Sequence, residues 1–487
     1  MSNRKQKWVL FSLASILIVG CGGGSGSSQI TAGIDGTGAR SPVAVVSHGT
    51  VTGFGSVIVN GVDFDTSAAS FLIDGVPGAQ SDLAVGDVVT VRGELDDDNS
   101  LSGSATEITY DDLVEGPIAT IDAMANTLTV LGQTVRVTAD TSFDDSIAPP
   151  AIDGLTVGDV IEVSGFVASD GSISATRIEP KHAPVGFELT GLVTGLNAGS
   201  SEFNINGQLV DYSAAVLTDF GSAPIADGDL VEVKAGTTLG AGGELLATRV
   251  EFQGNDINGD DGDRVEIEGF ISRFVDITDF DVSGFPVTSN GSPTLEGGLA
   301  SDLGLDIKVE VEGSLSGGVL NATKIEIRRS SAVRIVANVD SVDSANNFFV
   351  VLGIDVTVDE LTRLEDKGPL DLESFSLSDL FVGDYVEVRG VELPAGSGVV
   401  RASLLERDDD RPDVELRGFV QAGTAISPSF AILGVTVATN GSTVFRDVND
   451  AVIASATFFA NADGRLVAVD GIEVGDRAIT AAQVEFE

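Results

Sequence analysis

Carboxylates are the only side chains here numerous enough to do chemistry in groups. The chain has 74 Asp+Glu against 27 Lys+Arg, with two histidines and one cysteine. Pairs of carboxylates can hydrolyse glycosides, and larger sets hold hard cations through oxygen. The densest run is Asp256-Ile257-Asn258-Gly259-Asp260-Asp261-Gly262-Asp263. Asp256, Asn258 and Asp260 put side-chain oxygens at alternate positions, as a Ca²⁺ loop needs, and Asp263 adds a fourth. Asp96-Asp97-Asp98 and Asp408-Asp409-Asp410 are shorter runs, read as a solvated hairpin tip and a linker. Asp87, Asp159, Asp229 and Asp384 each follow a glycine where an alternating strand begins. A catalytic group occurs once, whereas a residue that recurs with the scaffold belongs to it. Asp after Gly at a strand entry bonds nearby backbone N–H groups. His48 and His182 have no acid or nucleophile at a telling spacing, and Gly-x-Ser-x-Gly, His-Glu-x-x-His and the phosphate-binding loop are all absent. The expectation is therefore a non-enzyme without cofactor, with Ca²⁺ at the four loop residues as the alternative.

The formal net charge of −47 excludes nucleic acid as a partner, because phosphate recognition needs cationic side chains to displace counterions. A lone cysteine excludes an internal disulfide framework. Hydrophobic residues at 43% exclude a mostly disordered chain. Phe64, Phe71, Phe143, Phe203 and Phe285 sit at alternating strand positions and are assigned to the core.

Three landmarks recur in fixed order and position those residues. The first is a glycine hairpin, as in Val57-Ile58-Val59-Asn60-Gly61 and Phe203-Asn204-Ile205-Asn206-Gly207, and the unit's first two strands are expected to meet in it or its neighbouring loop. The second is a strand introduced by Gly-Asp, clearest in Val85-Gly86-Asp87-Val88-Val89-Thr90-Val91-Arg92-Gly93. The third is a closing strand such as Ala105-Thr106-Glu107-Ile108 or Ala175-Thr176-Arg177-Ile178. An opening strand carries a glycine at Gly49, Gly116, Gly191, Gly269 and Gly418, with Ala337 in the fifth place. The period within a unit is two, the period of strands. The units cover 45–112, 113–181, 186–253, 264–329, 330–407 and a degenerate 413–487. The fold class is all-β: six tandem small β-barrels, OB-like, or sandwich-like units, of about five strands each. A single small sheet leaves edges exposed, which favours closure. The expected arrangement is a row, which for six compact units reaches roughly 170 Å.

The N-terminus supplies an address. Arg4, Lys5 and Lys7 precede the apolar run Trp8–Val19, too short to span a bilayer, so 1–20 reads as an export signal. Ile18-Val19-Gly20-Cys21 resembles the bacterial lipoprotein box, which implies acylation of Cys21 and cleavage before it. Residues 21–44 then form a Gly/Ser-rich tether. The absence of aspartate after Cys21 favours the outer membrane. The 256–263 run resembles the start of an EF-hand loop, but Asp261 stands where glycine belongs and Ile267 where the closing glutamate belongs. Finally, Gly49-Thr50-Val51-Thr52-Gly53-Phe54-Gly55-Ser56-Val57-Ile58-Val59-Asn60-Gly61, with Val85-Gly86-Asp87, resembles a bacterial repeat named domain of unknown function 5666. The resemblance runs over most of 45–407 and weakens in the last copy, where Gly464-Arg465 replaces Gly-Asp. It implies an exported lipoprotein and carries no chemistry. The expected function is a lipid-anchored envelope array, structural or interacting, that meets the membrane through its anchor and an envelope protein or polysaccharide through its surface. The alternative is an envelope binder of Ca²⁺ or glycan.

Overall fold

Period-two alternation becomes β-strand throughout the computed structural model, which describes residues 42–487 except 98, 99, 124, 255, 256, 258, 329, 330, 360, 371, 373, 395 and 448–450. The second copy shows the circuit that the others vary. Its opening strand, Val114–Asp122, pairs with Thr127–Val130, which turns at Leu131-Gly132 into Gln133–Arg136. That third strand runs parallel to the closing strand Ile173–Pro180. The Gly-Asp strand Val160–Val167 lies between the closing and opening strands and shuts the ring. An order of first, second, third, fifth, fourth and back to first is the OB-type barrel, in which no edge is left within the unit. The first, fourth and fifth copies close by the same circuit. In the third copy the opening strand is interrupted between Phe187–Leu192 and Thr194–Asn197; in the sixth it meets the hairpin through the bridge Val420–Ile432. The glycine hairpin joins the second and third strands of the unit, not the first two. The variable stretch before the Gly-Asp strand holds a short 3₁₀ turn in four copies, and in the sixth the α-helix Ser455–Asn461. Phe203, Phe280, Phe349 and Phe430, at the same place in the hairpin, are fully buried.

Two recurring glycines are explained by close approach. A Cβ on Gly116 would lie 2.6 Å from Leu131 Cγ at the hairpin turn, and one on Gly191 2.4 Å from Ile205 Cγ2. The opening glycine makes room for the hairpin to fold over the barrel. The glycine near the end of the Gly-Asp strand sits at a bulge against the closing strand. There a Cβ on Gly93 would lie 2.1 Å from the Ser104 carbonyl oxygen, and one on Gly313 2.1 Å from that of Asn321. Backbone cannot swing aside as a side chain can. In the third copy, Ala235 occupies this place.

The copies are not strung out in sequence order; Ser41–Glu487 is one compact unit. This corrects the expected row, and the cause lies in the opening strand. Its first half pairs on one side with the Gly-Asp strand, while the hairpin covers only its second half. The other edge of the first half would be left bare, and a sister copy fills it. Val114 and Glu115 pair with Leu189 and Glu188 of the third copy. Arg334–Val336 pair with Glu415–Arg417, joining copies five and six. Val45–His48 pair in parallel with Arg264–Ile267, joining copies one and four, which are distant in sequence.

Copies two and three share one apolar core and copies five and six another, while copies one and four have one each, the fourth's taking in Val46 of the first. Where pairs abut, the contacts are polar. Arg389 Nη1 donates to the Ala139 and Thr141 carbonyls at 2.6 and 2.9 Å, and Lys367 Nζ to Phe143 at 3.1 Å. Arg401 pairs with Glu326 at 3.1 Å, and Ser169 bonds Asp306. Burial, ahead of neighbouring charges, pushes several seam carboxyls up: Glu266 and Glu406 to about 7, Asp87 and Glu310 to about 8. Burial acts the same way on Glu268, but Lys308 and Arg328 outweigh it and hold it at about 2.

Gly93→Ala and Gly313→Ala should each cost about 1–3 kcal/mol, because the closing strand must shift, while Ala235→Gly should change stability by less than about 1 kcal/mol. Denaturant unfolding measures this, and equal effects at all three sites would refute the close-approach explanation. The raised carboxyls keep protons that unfolding releases. Their contribution is complete below the unfolded value near 4.5 and is lost as pH climbs through about 7 to 8. The melting temperature should therefore fall between about pH 5 and pH 8 at fixed ionic strength. A level or rising profile would contradict it.

Candidate functional site

Asp260 and Asp263 are placed in the turn before the fourth copy, whereas Asp256 and Asn258, like Cys21, lie outside the described residues. Asp260 is exposed, and its backbone N–H donates to Asp263 Oδ2 at 2.8 Å. Asp261 Oδ1 accepts from the Gly317 N–H at 2.7 Å. Asp263 thus holds its own turn, and Asp261 holds the hairpin turn at Gly317. The Asp263 bond repeats that of the Gly-Asp motif: Asp87 accepts from Ala84 N–H, Asp159 from Thr156, Asp229 from Ala226 and Asp384 from Phe381, at 2.7–2.9 Å. His48 is half-buried with Nδ1 3.0 Å from Thr90 Oγ1, its pKa lowered by desolvation; His182 is exposed. Phe64, Phe143 and Phe203 are core residues, and Phe71 and Phe285 pack at its margin.

A cavity of about 860 Å³ lies among copies one, two, four, five and six. Its cations are committed to neighbours. Lys308 pairs with Glu268, Arg328 with Glu310, and Arg401 with Glu326. Arg363, which burial lowers, bonds Ser142 Oγ and the Asp140 carbonyl. The cavity is the polar seam widened, with its four cations bonded to their own surroundings.

A different group is not matched. Where copies one, two and three meet, strand register sets Glu162 directly opposite Glu115, Glu115 opposite Glu188, and Glu188 opposite Lys234. Three glutamates thus form one row across adjacent strands, an arrangement that like charges oppose. Asp112 comes from the joint between copies one and two, and Asp74 from the turn after Ser70–Ile73. Carboxylate oxygens converge in two overlapping groups, Asp74–Asp112–Glu188 and Asp112–Glu115–Glu162, each within 4.8 Å. Asp112, Glu115 and Glu162 are buried. Two lysines border the row. Lys181 pairs with Glu162, and Lys234 with Glu188 at 2.5 Å and Glu232 at 2.8 Å. Among the described residues, no lysine or arginine pairs with Asp74, Asp112 or Glu115. The Tyr110 hydroxyl donates to Glu162 Oε1 at 2.6 Å. Burial first, then the neighbouring acids, pushes Asp74 and Asp112 up. Glu115 and Glu188 also rise to about 7 through burial, against the pull of Lys181 and Lys234 respectively.

The family model named Domain of unknown function (DUF5666) matches residues 46–109, 115–179, 190–251, 268–326, 337–406 and 417–485. The chain belongs to this family. Comparison with curated proteins finds no match. Each DUF5666 match begins in an opening strand and ends in or next to a closing strand, so the family unit is the barrel itself. Asp112, Lys181 and Glu188 fall between matches, in the joints. The junction of DUF5666 copies five and six provides the control. There Glu387 and Glu415 flank Val336, which stands where Glu115 stands, and the guanidinium of Arg334 bonds both glutamates. One junction has neutralised its acids; the other has added one.

Carboxylates alone at this density cost stability. Glu115→Gln should therefore raise stability by roughly 0.5–1 kcal/mol at about pH 8 in the presence of chelator. Urea unfolding measures it, and a destabilised variant would show that the row is held by bonds the ionised form needs.

Proposed function

We propose that this protein is a lipid-anchored, non-enzymatic component of the bacterial cell envelope. Its six DUF5666 barrels form one compact module at the end of an acylated tether. The observation that carries the reading is the sharing of opening-strand edges between copies, which consumes the repeated surface in building the module. The module then meets an envelope protein or polysaccharide with distinct faces, not six equivalent ones. The recurring Gly-Asp carboxylates bond their own turns, and the central cavity's cations are paired or bonded internally, which supports a role without catalysis. The anchor rests on the box ending at Cys21, the chain's only cysteine. Two or more acyl chains anchor firmly, since each buried CH₂ adds roughly 0.8 kcal/mol. The outer membrane is the destination that Gly22 favours.

Cys21→Ser should abolish incorporation of a palmitate analogue and leave the signal uncleaved by the lipoprotein peptidase. Metabolic labelling followed by membrane fractionation measures both. Equal labelling of wild type and variant would overturn the anchor.

A further inference from the structure

We propose that the junction of copies one, two and three is a binding site for a hard divalent cation of the Ca²⁺ class, with Asp112 at its centre. The donor set is Asp74, Asp112, Glu115, Glu162 and Glu188. All five donors are carboxylates, the choice of a hard cation with several oxygen ligands. Oxygens around one Ca²⁺ lie 2.3–2.6 Å from it, which puts opposite ligands roughly 5 Å apart. Within each group of three, Asp74–Asp112–Glu188 and Asp112–Glu115–Glu162, the oxygens lie within 4.8 Å of one another, which fits that sphere, and Asp112 joins the two.

Convergence of acids is common on an acidic surface, so a second observation decides. Asp112 is 3% exposed, belongs to both groups of converging oxygens, and its Oδ2 has no hydrogen-bond partner among the described residues. A buried carboxylate oxygen with no donor is costly unless something positive reaches it. Lys181 and Lys234 are taken by Glu162, Glu188 and Glu232, which leaves Asp112 to an outside cation. The equivalent junction of copies five and six shows that the scaffold has another solution, with Val336 in the row and Arg334 across it. The acids of copies one to three are thus specific to this junction. A cation there ties together three barrels, since its ligands come from the first copy, the joint after it, the second copy and the third.

The test uses the full-length protein in detergent, freed of metal by chelation. At ionic strength matched with NaCl, CaCl₂ at a hundredfold excess over its Kd should raise the melting temperature by roughly 3 °C beyond Na⁺. Tb³⁺, a Ca²⁺ mimic, should give tyrosine-sensitised emission that Ca²⁺ displaces, because the Tyr110 hydroxyl bonds the ligand Glu162. Asp112→Asn should weaken both responses at least tenfold. It keeps the side-chain shape and removes a buried charge, so it is expected to fold; circular dichroism checks this, and Glu115→Gln gives the same reading if it does not. Tyr110→Phe should lose the emission and keep the thermal response. A combined Asp256→Asn, Asp260→Asn, Asp263→Asn variant should keep both. No calcium-specific response, a full response in Asp112→Asn, or loss in the combined variant would overturn the site. The lipid label at Cys21 is independent of every one of these outcomes.

Discussion

The half-covered opening strand is the constraint from which the assembly of this protein follows. Backbone N–H and C=O groups must find partners when they are buried. Within each barrel the hairpin reaches only the far half of that strand, so the near half offers one unpaired edge. An exposed edge invites pairing with any available strand. Here the sister copy supplies it: second with third, fifth with sixth, and first with fourth across a long sequence separation. The glycine beneath the hairpin turn marks the same place, because the strand changes partners where Gly116 or Gly191 lets the hairpin close over it. Ring closure and copy pairing are two consequences of one strand being longer than its hairpin.

That pairing also decides where charge is buried. Once opening strands lie side by side, residues that alternate outward from a single barrel face each other across the joint. The consequence is a set of ionic seams, which satisfy themselves in several places: Arg334 between Glu387 and Glu415, Arg401 with Glu326, Lys367 with Asp145. Burying ionisable groups in this way adds little net stability, since desolvation offsets the attraction. It does impose specificity, because a barrel docked in another register would leave these groups unpaired. The carboxylate row of copies one to three departs from the pattern. A local arrangement that opposes stability is the kind of feature that function retains.

Much of the architecture was legible in the amino-acid sequence. Alternation of Val-x-Val and Phe-x-Ile triplets gives strands, because period two puts one face in the core. Glycine after the hairpin's first strand and Gly-Asp before the fourth specify turns whose chemistry is local, and the aspartates bond the N–H three residues back, as that reading requires. Six copies and a barrel of OB type follow from order and edge closure. The hairpin's place within the unit was misread, since the opening strand contributes no turn signature of its own. The row of units was misread because sequence order carries no information on which edges remain free.

The sequence by itself determined the repeat, the strand content, the acidic balance and the box at Cys21, all of which depend on neighbours along the chain. Tertiary structure alone decided which copies pair and which carboxylates meet. Glu115, Glu162 and Glu188 each stand in an ordinary apolar strand, as Val-Glu-Gly, Ile-Glu-Val and Phe-Glu-Leu, and nothing local separates them from Glu232, Glu310 or Glu387. The acids of Asp256–Asp263 are adjacent in the chain, and Asp260 and Asp261 are exposed to solvent. The acids that converge do so because strand register places residues from separate copies opposite one another. Register is a property of paired backbones, and it exists only once the barrels have closed and found their sisters.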